Sequence, residues 1–253
     1  MASRTRIVAG IHGVRSALGH GADTVQEIWV ESAGRRDRRI REILDLAARA
    51  GHIPVHGVGR AELEDLAGGV SHQGVAARVL APAPRDEEAL AGILQGLSEP
   101  PFLLILDGVQ DPHNLGACLR SADAAGVHAV LAPRDRAVGL TPVVCKVASG
   151  AAESVPFIQV TNLARTLRWL KDEAGLWLVG TAGEAEAEIY DLDLRGPLGL
   201  VLGAEGSGLR RLTREHCDHL ARIPMAGTVE SLNVSVAAGV CLFEALRQRR
   251  KSP

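Results

Sequence analysis

Residues 102–122 read FLLILDGVQDPHNLGACLRSA. Five apolar residues, Phe102 to Leu106, run without a break, as suits a strand buried on both faces of a parallel sheet. Asp107 and Gly108 end the run and a polar turn follows. Leu115, Cys118, Leu119 and Ala122 then fall on one helical face. Asn114, just before that stripe, is the expected N-cap. Arg120 lies off the stripe. Side chains on a helix tilt toward its N-terminus, so the Arg120 guanidinium is aimed at an end whose free N–H groups favour anions. On the residues alone, Arg120 reads equally as an exposed arginine and Asn114 as a plain cap.

Working outward, the same strand-then-helix unit recurs. Ala129–Leu131, Leu176–Val179 and Leu198–Leu202 are further apolar runs. Leu115–Ala125, Val143–Ala148, Leu163–Glu173 and Leu209–Glu215 carry helical periodicity. This alternation predicts an α/β fold with a parallel sheet covered by helices. A last helix is expected from Leu232, with Leu232, Val236, Gly239, Phe243 and Leu246 as its buried stripe. Its closing cations, Arg247, Arg249, Arg250 and Lys251, suit the negative end of a helix dipole or an RNA contact.

Toward the N-terminus lies a second, smaller α/β block. Helices are expected at Gly13–Leu18, Arg38–Ala50 and Ala61–Leu66, and strands at Glu27–Val30, Ile53–Val58 and Gly74–Leu80. Gly51 fits the residue just past a helix end. Between the blocks, Ala81-Pro82-Ala83-Pro84-Arg85-Asp86-Glu87-Glu88 reads as a linker followed by a short helix. The expected division is 1–80, a linker over 81–99, and 100–253.

The 253 residues are 46% hydrophobic and 23% charged, which excludes a disordered chain. No apolar run reaches the roughly 18 residues of a membrane span, no signal peptide is evident, and a cytoplasmic protein is expected. The cysteines at 118, 145, 217 and 241 form no CxxC pair and read as buried thiols. His216-Cys217-Asp218-His219 crosses a helix-to-strand boundary with no second ligand cluster, so no metal site is expected. The net charge is −2, but its distribution is uneven: residues 1–60 carry 10 Arg against 6 acids, while the rest carries 18 bases against 24 acids. Arg35, Arg36, Arg38, Arg39 and Arg41 crowd seven positions. They read either as a solvated helix face or as an RNA phosphate contact.

In open α/β sheets, ligands bind beyond the carboxyl ends of the strands. Two more segments sit there. In Leu202-Gly203-Ala204-Glu205-Gly206-Ser207-Gly208-Leu209, three glycines surround one carboxylate. This suits close approach of backbone to a ligand and equally a tight turn. It lacks both the dinucleotide fingerprint and the GK[ST] ending of a phosphate loop. In Ile223-Pro224-Met225-Ala226-Gly227-Thr228-Val229-Glu230-Ser231-Leu232-Asn233-Val234-Ser235, a strand passes through a glycine loop into a helix that Ser231 or Asn233 can cap.

Together the three segments resemble the three motifs of the SpoU/TrmH (SPOUT) family of RNA 2′-O-ribose methyltransferases. The resemblance rests on Asn114 and Arg120 six apart, Glu205 in the glycine loop, and Ser231 and Asn233 two apart. Gly10-Ile11-His12-Gly13 and Val70-Ser71-His72-Gln73-Gly74 resemble the small L30e-like RNA-binding domain of its ribosomal members. The resemblance implies a trefoil-knotted methyltransferase domain working as a homodimer. It implies S-adenosyl-L-methionine as cofactor, with Gly203, Ile223, Leu232, Met225 and Thr181 around it. Its implied substrate is a guanosine in the peptidyl-transferase region of 23S rRNA. Catalytic roles fall to Arg120, Asn114, Glu205, Ser231 and Asn233. The family proposal casts the arginine as base or base-assistant. A guanidinium holds its proton far above neutral pH, which makes deprotonation costly, so Arg120 is read instead as a clamp on an RNA phosphate. The alternatives are a tRNA ribose methyltransferase, a non-catalytic RNA-binding factor, and a nucleotide-dependent oxidoreductase, the last lacking its fingerprint.

Overall fold

In the computed structural model, residues 5–32 and 37–250 are described. The chain divides into two compact units, Met1–Pro82 and Ala83–Pro253. No helix among the described residues is long and apolar enough to cross a membrane.

The first unit alternates β1 (Thr5–Ala9), α1 (Ile11–Gly21), β2 (Val25–Glu31), α2 (Arg38–Ala50), β3 (Val55–Val58), α3 (Arg60–Ala67) and β4 (Val75–Leu80). The sheet order is β1-β4-β2-β3. β4 is antiparallel to β1 and to β2, while β3 runs parallel to β2. The core gathers Ile11, Val14, Ile28, Val30, Ile40, Ile43 and Val79. Asp37 caps α2 by accepting from the Arg39 amide at 2.8 Å, and Gly51 ends it with φ 75°, a left-handed value that glycine adopts without cost. The two quoted motifs of this unit meet. The Gly10 amide donates to the Val75 carbonyl at 3.0 Å, and Ile11 donates to Gln73 Oε1 at 3.2 Å.

The second unit runs α4 (Glu87–Gln95), β5 (Phe102–Asp107), α5 (Pro112–Ala125), β6 (Ala129–Pro133), α6 (Pro142–Ala148), α7 (Ala151–Ser154) and β7 (Phe157–Val160). It continues with α8 (Leu163–Asp172), β8 (Trp177–Thr181), β9 (Ala187–Glu188), β10 (Leu198–Gly203), α9 (Arg211–His216), β11 (His219–Arg222) and α10 (Val234–Arg250). The sheet order is β7-β6-β5-β10-β8-β11-β9, every pair parallel. Every residue of β5 is buried. Apolar clusters cover both faces, one including α5, α6 and α10, the other α4 and α8. From β5 the chain steps outward to β6 and β7, then returns to β8 and β10 on the other side. Such a switch of direction opens a crevice at the carboxyl ends of the strands.

Two local expectations are corrected. The cap of α5 is Asp111, whose Oδ1 accepts from His113 N at 2.7 Å, with Pro112 in the first turn. Proline's fixed φ and missing N–H favour that position, so the helix starts before Asn114, which becomes a buried helical residue. The last helix starts at Val234, not Leu232, and its buried face is Val234, Ala238, Cys241, Leu242 and Ala245. Val236 and Phe243, expected in the core, are 51% and 49% exposed. The short helix expected after the linker is α4, and it belongs to the second unit. Arg85 pairs with Ile158 beside β7, and Leu90 of α4 is fully buried.

Candidate active site

The carboxyl ends of β8, β10 and β11, with the loop before α10, enclose a cleft of about 650 Å³. That lies within the range of roughly 300–1,000 Å³ common to small-molecule sites. Its lining contains Thr181, Gly203, Ile223, Met225 and Leu232, all the residues expected around a cofactor. Glu205, Ser231 and Asn233 line it too, whereas Asn114 and Arg120 do not.

Gly203 ends β10. A Cβ there would lie 2.1 Å from the Gly208 carbonyl carbon and 2.4 Å from Leu209 N, so only glycine lets the returning loop close against the strand. Gly208 donates to the Ala204 carbonyl at 2.9 Å, and Gly206 and Gly208 hold φ of 77° and 63°. The loop is therefore a tight turn and a wall of the cleft at once, with Glu205 presented at its tip.

Three motif side chains meet at Glu205. Asn114 Nδ2 donates to Glu205 Oε1 at 3.1 Å. Asn233 Nδ2 donates to Asn114 Oδ1 at 2.9 Å and to Glu205 Oε1 at 2.5 Å. Asn233 Oδ1 accepts from the Ser235 amide at 2.9 Å and its hydroxyl at 2.6 Å, capping α10. The first turn of α5, the loop after β10 and the segment before α10 are thus tied together by a closed hydrogen-bond triangle. Arg120, also on α5, is exposed and has no hydrogen-bond or ion-pair partner among the described residues. Ser231 is exposed in the cleft wall.

Several residues of this region escaped the sequence reading. Asp107, at the end of β5, is 1% exposed. It accepts from the Arg210 amide at 2.8 Å through Oδ2, with Arg210 Nε 3.4 Å from Oδ1. A carboxylate closing an otherwise apolar strand was the available signal, because a buried charge demands a partner. Glu184 lines the cleft, and Arg214 holds its carboxyl below the usual carboxylate range by a hydrogen bond. Arg222, also in the lining, pairs with Glu188 at 3.2 Å.

The segment 216–219 has other work. Cys217 donates to the Thr213 carbonyl, Asp218 accepts from the Leu178 amide and pairs with Lys171, and His219 stacks on Trp177. Of the arginines expected to bind RNA, Arg35 and Arg36 lie outside the described residues. Arg38, Arg39 and Arg41 are exposed on α2. Arg38 pairs with Glu42 at 3.3 Å and Arg39 with Asp37 at 3.1 Å, so part of that positive charge is already balanced. At the other end of the chain, Arg249 donates to the carbonyls of Pro100, Pro101, Leu194 and Gly196, and Arg247 pairs with Glu244.

Comparison with known proteins agrees with this geometry. Residues 101–243 match the SpoU rRNA Methylase family, and residues 7–84 match RNA 2′-O ribose methyltransferase substrate binding. The chain is 56% identical over 251 residues to 23S rRNA (guanosine-2′-O-)-methyltransferase RlmB of Ralstonia nicotianae, covering 99% of each. The crystal structure of the SpoU methyltransferase AviRb from Streptomyces viridochromogenes, in complex with the cofactor AdoMet, superposes with a TM-score of 0.75 at 28% identity. That likeness covers 98% of this chain and 91% of the other. The TrmH/SpoU tRNA modifying enzyme of A. aeolicus gives a TM-score of 0.56 at 29% identity, over 65% of this chain and 84% of its own. The family match takes in more than half of the sequence and the whole of the cleft just described, and the chain belongs to the SpoU rRNA methylase family.

Proposed function

We propose that this chain transfers a methyl group from S-adenosyl-L-methionine to the ribose 2′-hydroxyl of a guanosine in 23S ribosomal RNA. The observation that carries the reading is the Glu205–Asn114–Asn233 triangle at the edge of the 650 Å³ cleft. It joins three distant segments into one site. The near-complete coverage by the R. nicotianae methyltransferase supports the ribosomal target. The tRNA reading is weaker, because the A. aeolicus enzyme covers only 65% of this chain.

The residues fit the cofactor. Leu202, Ala221, Ile223 and Val234 give the cleft apolar walls, and Glu184 and Glu230 add carboxylates. Gly203 lets the glycine loop close against the end of β10, and both Gly203 and that loop line the cleft. When bound, S-adenosyl-L-methionine supplies a methyl already activated on a sulfonium. What remains for the protein is chiefly alignment and the fate of one proton. Arg120, exposed on α5, clamps an RNA phosphate, positions the ribose and polarises its 2′-hydroxyl, whose proton passes to phosphate or solvent. Asn114, Glu205 and Asn233 hold the loops in register, and Ser231 offers a hydroxyl to whatever enters. Residues 1–80, with Arg38, Arg39 and Arg41 on their surface, gather the RNA, and residues 100–253 form the methyltransferase domain. The match of residues 101–243 to the SpoU methylase family supports reading this domain as the family's trefoil knot. The exposed apolar stripe of α10, with Val236 and Phe243, supports a homodimer joined through that helix.

Transfer of labelled methyl from S-adenosyl-L-methionine to a 23S rRNA transcript tests the reading. Label is expected on one guanosine 2′-oxygen. Label on a base, or transfer to tRNA in preference to 23S rRNA, would overturn it.

A further inference from the structure

Some cations of the second unit face a carboxylate, and others, Arg120 and Arg168 among them, have no side-chain partner among the described residues. Arg165, Arg195, Arg211, Arg214, Arg222 and Arg247 each face a carboxylate. Arg85, Arg134 and Arg136 are exposed and have no side-chain hydrogen bond or ion pair among the described residues. These three lie together, at the carboxyl ends of β6 and β7 and along the outer edge of β7. The Arg134 amide donates to the Val160 carbonyl at 2.8 Å, and Arg85 pairs alongside Ile158. Arg85 and Arg134 line one cavity of about 370 Å³ with Gln159.

A fourth arginine links this group to the cofactor cleft. Arg210 follows the glycine loop directly, and buried Asp107 fixes its guanidinium over Gly108. A Cβ on Gly108 would come within 3.1 Å of Arg210 Nη2 and 3.7 Å of the Arg136 carbonyl oxygen. Gly108 thus makes room for the guanidinium and brings Arg136 beside it. Arg136 itself holds φ 57°, a conformation that non-glycine residues occupy at a cost and that clusters at functional sites. The acids nearby are Asp86 and Asp111, each engaged with its own helix N-terminus, and Asp135.

We propose that the substrate RNA strand leaves the cleft along the carboxyl ends of β5, β6 and β7, its phosphates held in turn by Arg210, Arg136, Arg134 and Arg85. This rests on the methyltransferase reading and adds a second RNA surface, on the catalytic unit itself. Neighbouring strands are spaced by about 4.8 Å, so the path from β5 to Arg85 spans roughly 15 Å, enough for several nucleotides. Arginine suits the task because its planar fork meets phosphate oxygens two at a time.

The test uses the full chain with Arg85→Gln, Arg134→Gln and Arg136→Gln combined, each variant also made singly. Fluorescence anisotropy of a labelled 23S rRNA fragment gives Kd across a salt series. Each lost contact with single-stranded RNA should lower the slope of log K against log salt by about 0.7. The triple variant should therefore lose about 2 from the slope and bind roughly tenfold or more weakly. The rise in Tm on adding S-adenosyl-L-methionine should be unchanged. Arg168→Gln, removing the same charge from α8, should leave the slope alone. If the triple variant is poorly folded, the single variants carry the measurement. Wild-type slope and Kd in the variants would overturn the track. A wild-type chain that moves no methyl to RNA would instead overturn the enzymatic reading, and the binding assay would still decide the track.

Discussion

Asn114 and Glu205 are 91 residues apart in sequence, yet the carboxamide of one donates to the carboxylate of the other across 3.1 Å. Asn114 is 8% exposed, so removing its acceptor leaves a largely buried N–H group unsatisfied, a loss of about 1–3 kcal/mol. Glu205 Oε1 also accepts from Asn233. Glu205→Ala should therefore lower kcat/KM by about 100-fold. Glu205→Gln keeps an oxygen at the centre and should cost roughly tenfold. Steady-state kinetics on both variants checks this, and equal effects would mean that Glu205 acts by charge alone.

Arg120 has no hydrogen-bond or ion-pair partner among the described residues, which leaves its whole fork available to RNA. Arg120→Lys keeps the charge and loses the bidentate geometry. Its single-turnover rate should fall at least tenfold with cofactor binding intact, and Arg120→Ala should fall further than Glu205→Gln. A near-normal rate for Arg120→Lys in rapid-quench experiments would remove the clamp from the mechanism.

The last helix is apolar on more than one side, which explains both a misread face and a prediction. Val234, Ala238, Cys241, Leu242 and Ala245 face the core, while Val236 and Phe243 face outward. Periodicity finds such a helix but not its phase, because two faces compete for the core. Exposed apolar groups in a row mark an interface. Phe243→Glu should weaken self-association at least 100-fold by sedimentation and lower activity at low protein concentration. An unchanged sedimentation coefficient would exclude this face.

Much else was legible in the residues. The apolar runs at 102–106, 129–131, 176–179 and 198–202 fall in parallel strands to within one residue, because strands buried on both faces cannot hide polar side chains. Gly51 ends its helix as expected. The three motif segments are joined by the hydrogen bonds among Asn114, Glu205 and Asn233. The order β7-β6-β5-β10-β8-β11-β9 was not legible, because strand neighbours are set by packing between distant segments. Nor was the role of Arg210, which depends on Asp107 lying opposite it 103 residues away.

Burial raises the thiols of Cys118, Cys217 and Cys241 to about 12 from an ordinary value of 9.0. The unfolded chain ionises these groups near pH 9 while the native chain holds their protons. Their contribution to stability is therefore complete below about pH 9 and is lost as pH rises toward about 12. Denaturant melts at increasing pH should show Cm falling across that window. Replacing the three thiols by alanine should flatten the fall, although alanine lowers stability at every pH. In native protein at pH 8, these cysteines should also resist alkylation.

The central claim is that the cleft walled by the ends of β8, β10 and β11 and the loop before α10, and tied to α5 through Asn114, holds S-adenosyl-L-methionine, and calorimetric titration of the intact chain with that cofactor tests it most directly. Wild type should show saturable heat at one site per chain. Gly203→Ala, whose Cβ would press into Gly208, should show none while retaining folded secondary structure by circular dichroism. Absence of heat from the wild-type chain, or undiminished binding in Gly203→Ala, would contradict the account.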